Sequence, residues 1–121
     1  MGEVYLAEDT KLKREVALKV LPFNRTQDKK ALQRFKSEAL SAAALHHPNI
    51  CMIHEMGESD GRFFIAMELC EGETLLHRIE SSNLNVDDVL AIALQLAEGL
   101  EEARAKNIVH RDIKSSNIMI T

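Results

Sequence analysis

The sequence predicts an α+β protein, with strands first and helices after them. Three observations carry this. Short runs of alternating apolar and polar residues recur between Gly2 and Leu69. A single helical period, over 26–45, interrupts them. A far more apolar helical pattern then fills 86–105, after a break around Gly72.

Each element has its own signal. Gly2 to Ala7 alternates weakly, with Val4 and Leu6 on one face and Tyr5 on the other, as a strand does. Glu15 to Leu21 (EVALKVL) is richer in strand formers and stops at Pro22, which cannot donate to a ladder. The polar run EDTKLKR between them suits a hairpin. Thr26 to Leu45 reads as a helix with Thr26 as N-cap and one apolar stripe through Phe35, Ala39, Ala42 and Leu45. Pro48, in HHPNI, marks a turn. Ile50 to Gly57 and Phe63 to Leu69 are two further strands joined by ESDGR, in which Asp60-Gly61 is the hairpin signal. Thr74 to Ser81 suggests a short helix.

Asn85 can cap the long helix, where Asp88 favours the positive end of the helix dipole. From Val86 to Ala105 apolar side chains cover most of the circumference, a pattern expected of a helix buried on several sides. The closing IMIT reads as the beginning of a strand. No internal repeat or low-complexity segment interrupts this order.

Composition narrows the function. A chain of 121 residues is one domain or less. Hydrophobic residues make up 45% and charged residues 28%, the balance of a globular protein. The net charge of −4 offers no basic field for a nucleic-acid backbone. No apolar run reaches the roughly 20 residues of a membrane span, so no membrane contact is expected of this segment. The opening MGEVYLAED lacks the charged start and apolar core of a secretory signal. Cys51 and Cys70 lie among apolar neighbours without metal-ligand or redox spacing and read as reduced residues of a cytoplasmic protein.

Some residues sit oddly. Alternation puts Lys19 on the face shared by Ala17 and Leu21, either on a wet sheet face or against an anion. Glu38 falls on the Phe35, Ala42 and Leu45 side of its helix. It either reaches water at the helix edge or has a cationic partner, for which Lys19 is the candidate. After the long helix comes VHRDIKSSN, with His110, Asp112 and Asn117 in a loop. Each alone could be a turn former or a packed residue. No H-x-x-x-H spacing points to zinc.

Together, and in this order, these residues resemble a protein kinase. The matches are GEV at Gly2 to Val4, VALK at Val16 to Lys19, Glu38 in the next helix, HPNI, MEL at Met67 to Leu69, and HRDIKSSN. The run from HHPNI to CEGETL is most similar to the eukaryotic-like Ser/Thr kinases of bacteria.

The resemblance implies a kinase-like fold: residues 1–67 as the N-terminal lobe without its first strand, 68–72 as hinge, and 73–121 as the start of the C-terminal lobe, ending after the catalytic loop. It implies ATP and Mg2+ as cofactors and a Ser or Thr hydroxyl of a protein as acceptor. Lys19 would hold the α- and β-phosphates, oriented by Glu38. Gly2 would let backbone approach the phosphates. Val4 and Ala17 would contact adenine, with Met67 behind it. The backbone of Glu68 and Cys70 would bind the adenine edge.

In the same way Asp112 would take or orient the substrate hydroxyl proton, Lys114 would neutralise the γ-phosphate, and Asn117 would bind magnesium. Lysine two residues after Asp112 favours Ser/Thr over Tyr kinases. His110 would pack the loop, and Arg111 would pair with a phosphorylated activation segment.

The sequence departs from the family pattern too. Two glycines of the phosphate loop, the Asp-Phe-Gly motif and the activation segment are not in this chain, and Ser115 replaces a usual proline. Two alternatives therefore stand beside the enzyme: a non-catalytic kinase-like binding module and a small-molecule kinase of related fold. The 121 residues alone are expected to be inactive and marginally stable, with an apolar patch on the long helix and an open edge on the first strand.

Overall fold

The computed structural model of the chain describes residues 3–21, 28–108 and 113–121. The predicted Thr26 cap therefore lies outside the described residues. The chain forms two compact units, one from Met1–His46 and Cys51–Leu69, the other from His47–Ile50 and Cys70–Thr121.

The first unit is a four-stranded antiparallel sheet with one helix. Its strands are β1 (Glu3–Asp9), β2 (Arg14–Val20), β3 (Ile53–Ser59) and β4 (Arg62–Glu68), in the order β1-β2-β4-β3. Asp9 makes the first hairpin turn: its carboxylate accepts from the Lys11 and Leu12 amides at 3.0 and 3.2 Å, and Arg14 lies 3.5 Å away. These bonds, led by that from Leu12, hold the Asp9 carboxyl below the usual carboxylate range. The β3–β4 turn uses Asp60 and Gly61 at φ 52° and 74°, the two left-handed residues a tight hairpin needs.

Helix α1 (Lys29–Ala43) begins at Asp28, whose side chain accepts from the amides of Lys30 and Ala31. The N-cap is thus two residues later than the Thr26 expected from sequence. Aspartate, like threonine, caps well. Phe35 and Ala39 of α1 join Leu21 and Ile65 of the sheet in the core, with Ile53, Met56, Phe63 and Met67 packed around them. The Lys36 ammonium stands 4.2 Å from the centre of the Phe63 ring, adding a cation–π contact to this packing. On the opposite sheet face the Phe64 ring covers Gly57, where a Cβ would meet the ring at 3.0 Å.

The second unit is built on α3 (Val86–Ala105). Asn85 caps it as expected, accepting from the Asp88 amide at 2.8 Å. Its last turn closes with Ile108 N–H on the Ala103 carbonyl at 2.8 Å and Asn107 N–H on Arg104 at 2.9 Å. Asn107 sits between them at φ 58°, so an asparagine takes the left-handed stop usually given to glycine. The turn 47–50 lies along α3 at Gly99, where a Cβ would stand 3.4 Å from the Ile50 side chain, and Asn49 donates to Gln95 at 3.3 Å.

Only Gly99 and Ala103 of α3 are buried. Val86, Val89, Leu90 and Leu94 are exposed: burial on several sides is not found within these residues, and the apolar patch expected on the long helix is. The apolar pattern records a face that packing within these residues does not cover. No helix among the described residues is long and apolar enough to cross a membrane.

A short ladder completes this unit. Strand β5 (Glu73–Thr74) pairs with β6 (Met119–Ile120), and α2 (Leu75–Ser81) follows β5 directly. Thr74 caps α2, accepting from the His77 amide at 3.0 Å. The Glu73 carboxylate meets His77 Nδ1 at 2.6 Å and also accepts from Arg78 Nε. These two bonds, the one with His77 first, hold the Glu73 carboxyl below its usual range.

Two outcomes are expected in equilibrium urea denaturation. Asn85→Ala lowers stability by about 1 kcal/mol, and Phe35→Ala by about 3–5 kcal/mol. Glu73 adds a pH dependence. Its folded-state pKa is depressed, so its contribution is complete above the ordinary glutamate value of about 4.3 and is lost as pH falls through the lowered one. Glu73→Gln should therefore be less stable than the parent at pH 6, and the difference should vanish on acidification through that window.

Candidate functional site

The register of the first sheet decides which side chains share a face. Val4 lies opposite Lys19, Lys19 opposite Ile65, and Ile65 opposite Met56. The next row runs Leu6, Ala17, Met67, Ile53. Residues two apart in a strand share a face, so both rows lie on one side of the sheet. In β3 the positions Ile53 and Met56 are three apart. The irregularity between Ile53 and Glu55 absorbs the extra residue and keeps both on the same side.

This face has two characters. At β3 and β4 it is core, with Ile65 only 5% exposed. At β2 it is half-buried, at Ala17 and Lys19, and at β1 it is open, with Val4 63% and Leu6 66% exposed. Val4, Ala17, Lys19 and Met67, all expected from sequence to hold a nucleotide, therefore stand in two adjacent rows of one surface. Ala17, flanked by Leu6 and Met67, is the low point of its row. An apolar strip beside a half-buried lysine can take a flat apolar ring and an anionic tail together. Leu6 belongs to this strip as well. The sequence reading placed it on the Val4 face but gave it no role. Its signal was its spacing of two from Val4.

At the end of β4, Glu68 is engaged on both sides. Its amide donates to the Met52 carbonyl at 2.8 Å, and its carboxylate accepts from the Met52 amide at 3.2 Å. Its carbonyl accepts from the Cys51 thiol at 3.2 Å, which leaves one of two lone pairs for another donor. Cys51 and Cys70 are both reduced and half-buried.

Glu38 differs from expectation. It is exposed on α1, and among the described residues no ion pair joins it to Lys19. The predicted Lys19–Glu38 pair is thus not formed in this structure. A carboxylate that reaches water pays no burial penalty, so nothing at this position demands a cation.

Gly2, His110, Arg111 and Asp112 fall outside the described residues. Lys114 and Asn117 bracket a 3-10 turn over Ser115–Asn117, closed by the Asn117 amide on the Lys114 carbonyl at 2.9 Å. Both side chains are exposed. Immediately after Asn117, the Ile118 carbonyl accepts from the Leu75 amide at 2.8 Å, tying this turn to the start of α2.

Comparison with known proteins gives a consistent result. The family described as "Protein kinase domain" matches residues 1–121. The serine/threonine-protein kinase PrkC of Bacillus subtilis is 45% identical over 121 residues, which cover 99% of this chain and 19% of that protein. The serine/threonine-protein kinase PknF of Mycobacterium tuberculosis is 39% identical, over 99% of this chain and 26% of that protein. A crystal structure of the M. tuberculosis PknI kinase domain superposes with a TM-score of 0.85 at 36% identity, covering 100% of this chain and 49% of that one. The chain therefore spans about half of that solved kinase domain and a smaller share of the curated relatives.

Proposed function

This chain belongs to the protein kinase domain family, and from that premise we propose that it is the nucleotide-gripping part of a Ser/Thr protein kinase. The reaction is transfer of the ATP γ-phosphoryl group to a Ser or Thr hydroxyl of a protein substrate. The observation that carries this reading is the shared sheet face of Val4, Leu6, Ala17, Lys19 and Met67.

In this reading residues 1–67 form the N-terminal lobe, 68–72 the hinge and 73–121 the start of the C-terminal lobe. Val4, Leu6 and Ala17 cover the adenine ring, and Met67 bounds it. The free lone pair of the Glu68 carbonyl and the Cys70 backbone recognise the base edge. Gly2 leaves room for backbone beside the phosphates. Lys19 pairs with the α- and β-phosphates, and Glu38 orients Lys19 once the nucleotide is bound.

Asp112 accepts the proton of the attacking hydroxyl, and Lys114 offsets the charge developing on the γ-phosphate. Arg111 answers to a phosphorylated residue. The residues present fit both cofactors. An apolar strip ending in one amine suits a nucleotide, and the exposed amide oxygen of Asn117 suits a hard cation such as Mg2+. When bound, the metal nucleotide supplies the phosphoryl group and screens its charge. Two reduced cysteines agree with the reducing cytoplasm as its compartment.

In the protein at its full length, Lys19→Met and Asp112→Asn should each lower transfer of labelled γ-phosphate by about a hundredfold or more, with circular dichroism unchanged. Full activity in either variant would overturn the assignment. Ala17→Leu should block the strip, raising KM for ATP more than it lowers kcat.

A further inference from the structure

Asn117 lies at the end of a loop, yet the residues following it are held on one side by four consecutive positions far earlier in the chain. Thr74 pairs with Met119 and Glu73 with Ile120 in the β5–β6 ladder. The Leu75 amide donates to the Ile118 carbonyl at 2.8 Å. At Gly72 the fit is closer still. Gly72 has φ 140°, and a Cβ there would stand 2.0 Å from the Ile120 carbonyl oxygen and 2.9 Å from its carbon. Both neighbours are backbone, so neither can swing away, and only glycine is accommodated.

Two of these four residues are also held through their side chains. The Glu73 carboxylate is held by His77 and Arg78, and the Thr74 hydroxyl by the His77 amide. This costs four polar side chains and a left-handed glycine for a ladder two residues long. A two-residue ladder adds little stability by itself. Its consequence is positional: the chain leaving Asn117 is tied at three successive residues to the start of α2.

We propose that Gly72, Glu73 and Thr74 are positioning residues for Asn117, acting through the β5–β6 ladder to set where its side-chain oxygen meets a divalent cation. This rests on the kinase reading of Asn117 given above. Outer supports of a metal ligand commonly contribute about tenfold to hundredfold in metal affinity, and the ladder is such a support made of backbone. A Gly72→Ala change should displace Ile118 to Ile120, and with them the 3-10 turn that carries Asn117.

The test uses the protein at its full length and two readouts. The first is hydrogen–deuterium exchange without nucleotide or metal. Gly72→Ala should speed exchange at Ile118 to Ile120 and leave the centre of α3 unchanged. The second is Mn2+ binding in the presence of a non-hydrolysable ATP analogue, followed by electron paramagnetic resonance. Affinity should fall about tenfold or more in Gly72→Ala, fall comparably in Asn117→Ala, and fall no further in the double variant, because the two act on one ligand.

Equal exchange at 118–120, unchanged Mn2+ affinity, or additive losses in the double variant would each overturn the positioning role. Should Gly72→Ala not fold, Glu73→Ala, which keeps the backbone free of any clash, carries the same cycle with the same outcomes. Parent protein that binds neither Mn2+ nor nucleotide would instead overturn the kinase reading, and the inference with it.

Discussion

The antiparallel register between β1, β2 and β4 is the constraint on which the candidate site depends. Side chains on a strand alternate, so a slip of one residue would send Lys19 to the other face, away from Val4 and Met67. The Asp9 turn fixes β1 against β2, and the left-handed pair Asp60-Gly61 fixes β4 against β3. The register is also fixed by burial, since Leu21 and Ile65 must face Phe35 and Ala39 of α1. The irregularity in β3 belongs to the same logic. Without it, Ile53 and Met56 would point to opposite sides and the core would lose one of them.

The second unit solves a different problem, that of holding a loop without burying it. Lys114 and Asn117 are exposed, and no apolar anchor lies on the 3-10 turn they bracket. Backbone pairing to β5 takes that role, and it demands a glycine where two main chains come closest. At the other end of the loop, the stop at Asn107 ends α3 abruptly, so the chain leaves the helix at a defined place. The exposed side chains of Lys114 and Asn117 thus stand close to hydrogen-bonded backbone that places them while leaving them accessible.

Much of this was legible in the sequence because it rests on local rules. Asp60-Gly61, the Asn85 cap, the extent of α3 and the Phe35–Ala39–Leu45 stripe follow from turn chemistry and periodicity, and each stands where it was expected. That Val4 shares a face with Leu6, and Lys19 with Ala17, is likewise a matter of counting by two, whereas the register puts both pairs on one side of the sheet. What was not legible depends on tertiary context. The need for Gly72 arises from Ile120, nearly fifty residues away in sequence. The apolar patch on α3 was expected, but which of its residues would be exposed was not, because cover depends on neighbouring elements. The Lys19–Glu38 pair was inferred from helix phase, and phase fixes direction around an axis but not distance to a strand.

The central claim is that Lys19 is the amine facing a nucleotide's phosphates on this sheet. An acyl-phosphate derivative of ATP tests it directly, because such a reagent acylates an amine lying against the phosphates and releases the nucleotide. Mass spectrometry of the labelled protein at full length should find the acyl group on Lys19 and find it suppressed by excess ATP. Labelling that spares Lys19 while marking Lys11, Lys13 or Lys36, or labelling indifferent to ATP, would contradict the account.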